Sequence, residues 1–267
     1  MLLYICYNDC KGWIYGRMTQ LVGILNVTPD SFSDGNLFWD PELAVRHAEQ
    51  LFADGAALVD IGAESTRPGA TRITPTEEWR RLKPVLEWFS TLYPSQLSLD
   101  TYHPETAERA LSLRDFVIND VTGMSNPAMA GIVIERQARC VIGHSPGANI
   151  QAAHQAKPID SIQEIVDDLL SKAASLEAKG LKHAKIILDP GIGFGKTQAL
   201  NEQLLEFAKY VPDYRVMIGY SRKRFLGDKR MELETNLVAG RKAIAAGAAY
   251  LRVHDVAGHR QLLDNKS

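Results

Sequence analysis

Asp100, Asn119, Asp189 and Lys223 together offer carboxylate acceptors, an amide that donates and accepts, and a cationic donor. A flat nitrogen heterocycle with several N–H and C=O edges needs that mixture, because burying it is favourable only when the edges are paired. A second set, Asn26, Arg67, Arg222, Lys223, Arg252 and His254, is largely cationic and lies among turn-forming residues. Cations with turn amides favour a multiply charged anion, most simply a phosphate or diphosphate. Arg252 and His254 are two apart, so a strand continuing to His254 would turn both to one side. Each residue also has a plainer use. Asp100 would cap a helix over 104–111, Asp189 would cap the glycines after it, and Lys223 would be a solvated lysine. Arg252 would pair with a nearby carboxylate and His254 would cap a helix.

Three turn-rich segments carry much of this chemistry: residues 26–35, 65–69 and 189–196. Each follows a short apolar run, and loops held at strand ends by a rigid scaffold are the usual seat of binding and catalysis. Several look-alike motifs fail on spacing. Gly195-Lys196-Thr197 resembles the end of a P-loop, but Pro190 stands where its first glycine is required. Gly191, Gly193 and Gly195 do not have the dinucleotide-fingerprint spacing. No His-x-x-x-His pair occurs, which argues against a zinc site. A hard cation such as Mg²⁺ fits better, held by Asn26 and by phosphate oxygens of a substrate. Ser145 beside His144 does not make a persuasive nucleophile pair.

Apolar runs that read as strands alternate with amphipathic helical patterns. The runs cover residues 21–25, 58–61, 97–99, 116–118, 140–142, 185–188, 216–218 and 250–253. Most are apolar on successive residues, as parallel strands buried on both faces are. Helical patterns span 41–54, 76–91, 161–180 and 232–247, the last two ending in glycine. Eight strands in strict alternation predict an α/β protein that closes into a (β/α)8 TIM barrel, with an open doubly wound sheet as the alternative. Residues 1–18 read as a short N-terminal hairpin around a turn-rich centre. In a barrel, the residues after each strand meet at one rim. That gathers Asn26, Thr66, Arg67, Asp100, Asn119, Asp120, His144, Asp189, Ser221, Arg222, Lys223, Arg252, His254 and Asp255 at one mouth.

The bulk numbers agree with a single domain over 1–267. The chain has 267 residues, 45% of them hydrophobic and 23% charged, and a barrel of roughly 250 residues is one domain. A net charge of −2 gives no reason to expect nucleic acid or a membrane as partner. The three cysteines, Cys6, Cys10 and Cys140, are few, odd in number and not spaced as a zinc set, and read as free thiols in a reducing cytoplasm. No run approaches the about 18 apolar residues of a membrane span, and the start lacks a signal-peptide pattern, so the expected compartment is the cytoplasm.

With these residues in view, the chain resembles the dihydropteroate synthases over residues 21–256. The likeness rests on seven motifs in the family's order. They are the segments 23–35, 60–62 with 64–69, 98–101, 118–121, 189–196, Gly219-x-Ser221-Arg222-Lys223 and Arg252-Val253-His254-Asp255. The resemblance implies a (β/α)8 barrel, usually a homodimer. It also implies condensation of 6-hydroxymethyl-7,8-dihydropterin diphosphate with 4-aminobenzoate in folate biosynthesis, with Mg²⁺ as cofactor and sulfonamides as competitors. Carried over by motif, catalytic roles fall on Asn26, Asp34, Arg67, Lys223, Arg252 and His254, with Asn26 as metal ligand. Substrate contacts fall on Thr66, Asp100, Asn119, Asp189, Phe194, Gly219, Ser221, Lys223, Arg252, Val253 and His254.

Four positions depart from the family pattern. Asn36 follows Asp34-Gly35 where a second glycine is common. Ala63 replaces the second glycine of Asp-Ile-Gly-Gly-Glu and would be strained at positive φ. Gly143 stands where methionine is common, which is expected to remove an apolar wall from the pterin pocket. Arg224 replaces a common serine beside the expected aminobenzoate carboxylate. Two further readings stay open at this stage: another pterin-binding barrel, such as a methyltetrahydrofolate-binding module of a corrinoid methyltransferase, and a paralogue that binds without turnover.

Overall fold

The computed structural model describes residues 18–28, 41–64, 71–93, 95–146 and 157–264. Eight parallel strands close into a barrel in sequence order: β1 (Gln20–Asn26), β2 (Leu58–Gly62), β3 (Leu97–Asp100), β4 (Val117–Asp120), β5 (Arg139–Gly143), β6 (Ile186–Asp189), β7 (Arg215–Ile218) and β8 (Tyr250–Val253). Closure is direct, with β8 pairing in parallel with β1 from Gln20↔Tyr250 to Gly23↔Val253. The open doubly wound sheet is thereby excluded. The eight expected runs all become strands, and β1, β3, β4 and β6 extend one or two residues further to end on Asn26, Asp100, Asp120 and Asp189. The proposed hairpin strands over 2–7 and 13–15 lie outside the described residues.

Eight α-helices stand among the described residues: α1 (Pro41–Ala53), α2 (Pro75–Leu92), α3 (Pro104–Leu113), α4 (Pro127–Glu135), α5 (Ile162–Ala178), α6 (Gln198–Gln203), α7 (Leu233–Ala245) and α8 (Val256–Asp264). Local chemistry sets their starts. The Thr74 hydroxyl accepts the Glu77 N–H at 3.2 Å ahead of Pro75, and Ser161 accepts the Glu164 N–H at 3.4 Å. Such caps satisfy amides that the first helical turn leaves orphaned.

Two separate apolar groups result from burying each strand on both faces. The larger lies between barrel and helices and includes Leu25, Ile61, Leu99, Ile118, Ile142, Leu188, Ile218, Leu251 and Val253. The smaller fills the barrel interior: Val22, Leu58, Val117, Val141, Ile187, Met217, Ala249 and Tyr250. This interior plug is the floor on which everything functional stands.

Candidate active site

Side chains alternate faces along a strand, so residues two beyond the plug point the same way, one layer up. Those residues are Ile24, Asp60, Asn119, Gly143, Asp189, Gly219 and Arg252, with Asp100 on β3 completing the ring. Register ties neighbours together: Gly62 pairs with Asp100, Asp100 with Asn119, and Gly143 with Asp189. The barrel interior therefore switches from a layer that is apolar apart from the buried Ser98 of β3 to a charged one. Two of the ring's members, Gly143 and Gly219, add no side chain to fill the mouth.

Arg252 organises this layer. Its Nε donates to Asp60 Oδ2 at 2.6 Å, and an Nη donates to Asp100 Oδ2 at 2.7 Å. Asn119 Nδ2 donates to the same Asp60 oxygen at 2.9 Å. Asp60 is fully buried, and its Oδ1 has no hydrogen-bond partner among the described residues. Burial pushes the Asp100 carboxyl up to about 7, with Asp60 adding to the rise and Arg252 opposing it. The Arg252 guanidinium is held even more firmly protonated than usual, because the attraction of Asp60 and Asp100 outweighs its burial. The heterocycle-binding and anion-binding sets drawn from the sequence thus interlock through one arginine.

Asp189 and Lys223 face this group. A methyl placed on Gly219 would lie 3.7 Å from Asp189 Oδ2, 3.8 Å from Lys223 Nζ and 3.9 Å from Arg252 Cβ. Three strand ends converge on that point. Lys223 Nζ donates to the Ile192 carbonyl at 2.5 Å and sits 5.2 Å from the centre of the Phe194 ring. Burial pulls its ammonium down to about 8, against the attraction of Asp189. Burial raises the Asp189 carboxyl, opposed by Lys223 and by the Gly191 amide, which donates to Oδ1 at 2.7 Å. Asp189 therefore shapes its turn with one oxygen and faces the site with the other.

The remaining expected residues divide. Asn26 ends β1 at the rim, and His254 follows β8, its Nδ1 3.1 Å from Ser221 Oγ and its N–H donating to the same oxygen at 3.3 Å. The strand stops at Val253, so Arg252 and His254 are not two positions of one strand. Val253 is buried in the outer core, which leaves only its main chain free to meet a substrate. Asp120 points outward from β4 and accepts from the amides of Thr122 and Met124 at 2.8 and 3.0 Å, and Asp255 accepts the Gly258 N–H at 2.8 Å. Both are turn-holding groups. His144 is buried, and burial plus Lys196 and Lys172 hold its imidazole down to about 3, so it is neutral. Asp34, Thr66, Arg67 and Asn36 lie outside the described residues.

Two participants were not singled out as site residues from the sequence. Asp60 is one; a lone aspartate inside an otherwise apolar buried strand is the signal that marks it. Lys196 is the other. It is no P-loop lysine: its buried ammonium donates to the carbonyls of Gly191, Phe194 and His144 at 2.8, 2.9 and 3.3 Å. That clamp shapes the loop that receives Lys223.

A divalent cation is compatible with this rim. Among the described residues no group of three or more His, Cys, Asp and Glu is placed to hold a metal. The protein would then contribute a neutral amide oxygen from Asn26 and leave the rest of the shell to phosphate oxygens and water. Mg²⁺ fits such a donor set.

The profile of the pterin-binding enzymes matches residues 22–254. The chain belongs to the pterin-binding enzyme family. Its relatives include dihydropteroate synthases. That of Mycobacterium leprae is 37% identical over 257 residues, covering 89% of this chain and 88% of the other. A probable bifunctional folylpolyglutamate synthase/dihydropteroate synthase of Haloferax volcanii is 37% identical over 258 residues. The match covers 93% of this chain and 30% of that longer protein. Among solved structures, Xanthomonas albilineans dihydropteroate synthase with 4-aminobenzoic acid aligns with a TM-score of 0.83 at 36% identity, covering 92% and 91% of the two chains.

As a pterin-binding enzyme the chain resolves two of its own departures. Ala63 is fully buried and is not among the described residues with positive φ, so the expected strain is absent. Gly143 does not simply open the pocket. A Cβ there would lie 2.9 Å from the Asp120 carbonyl oxygen and 2.9 Å from Val121 Cα, so the exit of β4 has closed onto the space beside the glycine.

Proposed function

We propose that this pterin-binding enzyme is a dihydropteroate synthase, joining 6-hydroxymethyl-7,8-dihydropterin diphosphate to 4-aminobenzoate and releasing diphosphate. The observation that carries the reading is the single polar layer above the barrel plug. There Asp189 and Lys223 border the space at Gly219 beside Arg252, which is joined to Asp100 directly and to Asn119 through Asp60. A pterin ring laid there meets acceptors for its N–H edges and donors for its C=O and ring nitrogens. Arg252 keeps Asp100 in place, and Lys223 adds a positive charge.

In the reaction the amine nitrogen of 4-aminobenzoate forms a bond to the exocyclic methylene of the pterin as the C–O bond to diphosphate breaks. The amine loses one proton, and the leaving group takes the electron pair. No protein nucleophile is needed, since the substrate brings its own leaving group. In this reading Lys223 and His254 would offset the negative charge that grows on the departing oxygen, with Arg67 as a further cation of this role. Thr66 and Asp34 belong to the same reading as loop residues that complete the site, and Ser221 orients His254. Phe194 and the main chain of Val253 would border the ring. When bound at Asn26, Mg²⁺ would neutralise charge on the diphosphate. We assign the working form as a homodimer in the cytoplasm on the family resemblance; no helix of the described residues is long and apolar enough to cross a membrane.

The test is diphosphate release with and without 4-aminobenzoate. Release that depends on the aminobenzoate is expected, and a protein that binds pterin without it would contradict the assignment.

The site's titrations add a second expectation. Below about 7 Asp100 becomes protonated, loses its negative charge and turns one acceptor oxygen into a donor, so its grip on a pterin N–H edge weakens as pH falls through that value. Lys223 carries its charge only when protonated, so capture weakens again as pH rises through about 8. The profile of kcat/KM for the pterin diphosphate is therefore a narrow bell. Lys223→Arg should move the alkaline limb above pH ~10, because a guanidinium does not deprotonate there. A profile flat from pH 6 to 9 would contradict these roles.

A further inference from the structure

Tyr220, Ser221, Arg222 and Lys223 form a tight turn in which the Lys223 N–H donates to the Tyr220 carbonyl at 3.1 Å. Arg222, its third residue, has φ of +62°, a left-handed conformation natural for glycine or asparagine and strained for arginine. This strain has a consequence for direction. On one side of Arg222 the Ser221 hydroxyl meets His254, and on the other Lys223 reaches Ile192 and Asp189. Backbone strain of this kind persists only where the surroundings over-determine it.

Asn236, on α7 and 4% exposed, supplies that constraint. Its Oδ1 accepts the Arg222 N–H at 2.9 Å. Its Nδ2 donates to the carbonyls of Arg230 and Glu232, both at 2.8 Å. One buried carboxamide thereby fastens the beginning and the end of the segment between β7 and α7, with an acceptor and both donors in use.

We propose that Asn236 is a positioning residue for the reaction: it locks Arg222 in the left-handed turn and so sets where the Lys223 ammonium and the Ser221 hydroxyl stand. The functional part rests on the reading of the site given above. Asn236 itself touches no reacting group.

The proposal is tested by a double-variant cycle with an independent structural arm. Asn236→Ala is expected to lower kcat/KM for the pterin diphosphate about tenfold, as a small misplacement of a binding group does. In an Arg222→Gly background, where glycine adopts the left-handed turn unaided, the same change should cost no more than about twofold. An equal loss in both backgrounds would overturn the proposal. The structural arm needs no activity and no variant. In the wild-type protein the Arg222 amide, bonded to a buried oxygen although its residue is exposed, should exchange hydrogen at least about 100-fold more slowly than in a free peptide. Unprotected exchange would overturn the proposal even if Asn236→Ala fails to fold. A wild type with a protected Arg222 amide but no aminobenzoate-dependent turnover would sink the functional reading and leave the fastening of the turn intact.

Discussion

Arg252→Met should cost the protein both its fold stability and its activity. The arginine neutralises Asp60, which is fully buried, and Asp100, which is largely so, and methionine of similar length would leave the two carboxylates facing each other. Breaking a buried pair by removing one partner costs about 3–5 kcal/mol, which for a domain of this size lowers Tm by roughly 6–20 °C. The sign of the pH dependence follows from linkage. Asp100 is already raised by burial, and without the opposing cation it titrates higher still in the folded state, so the folded state holds more protons and the deficit grows with rising pH. Thermal unfolding of the variant should therefore recover as pH is lowered from about 8 toward 5. An unchanged Tm, or a deficit that grows on acidification, would contradict the central place given to Arg252. Arg252→Lys is expected to be intermediate, because one ammonium cannot bridge two carboxylates as the guanidinium fork does.

Lys223→Ala is expected to separate activity from stability. The ammonium is held near 8, below the ordinary lysine value, so at pH 7 folding already bears a cost for keeping it charged. Asp189, whose carboxyl is already raised, can take up a proton when its partner is lost. Thermal unfolding should then stay within a few degrees of the wild type. Activity should not survive, since removing one preorganised donor from a site of developing charge costs about 10²–10³-fold in rate. Steady-state kinetics with saturating 4-aminobenzoate measures the loss. Wild-type turnover in folded Lys223→Ala protein would refute the assigned role.

The barrel was legible because burial on both faces leaves a direct trace in composition. Runs such as Ile186–Asp189 are apolar until the residue that meets the mouth. Asp100, Asn119 and Asp189 were legible for the same reason, as polar residues at the ends of such runs. Their partners were not. Arg252 lies 192 residues from Asp60 and 152 from Asp100, and only strand register and barrel closure decide that the three meet. Asp120 and Asp255 show the limit from the other side: identical in type and neighbouring in sequence to site residues, they hold turns. Asn236 carries no sequence signal, because its importance comes from the φ of Arg222, and nothing in an arginine announces a left-handed backbone.

The most direct measurement is a crystal structure of the protein with 6-hydroxymethyl-7,8-dihydropterin diphosphate. The ring is expected over Gly219, with its edges bonded to Asp100, Asn119, Asp189 and Lys223 and its diphosphate directed toward His254. A ligand seated elsewhere on the barrel, or a ring that leaves those four side chains unbonded, would contradict the account.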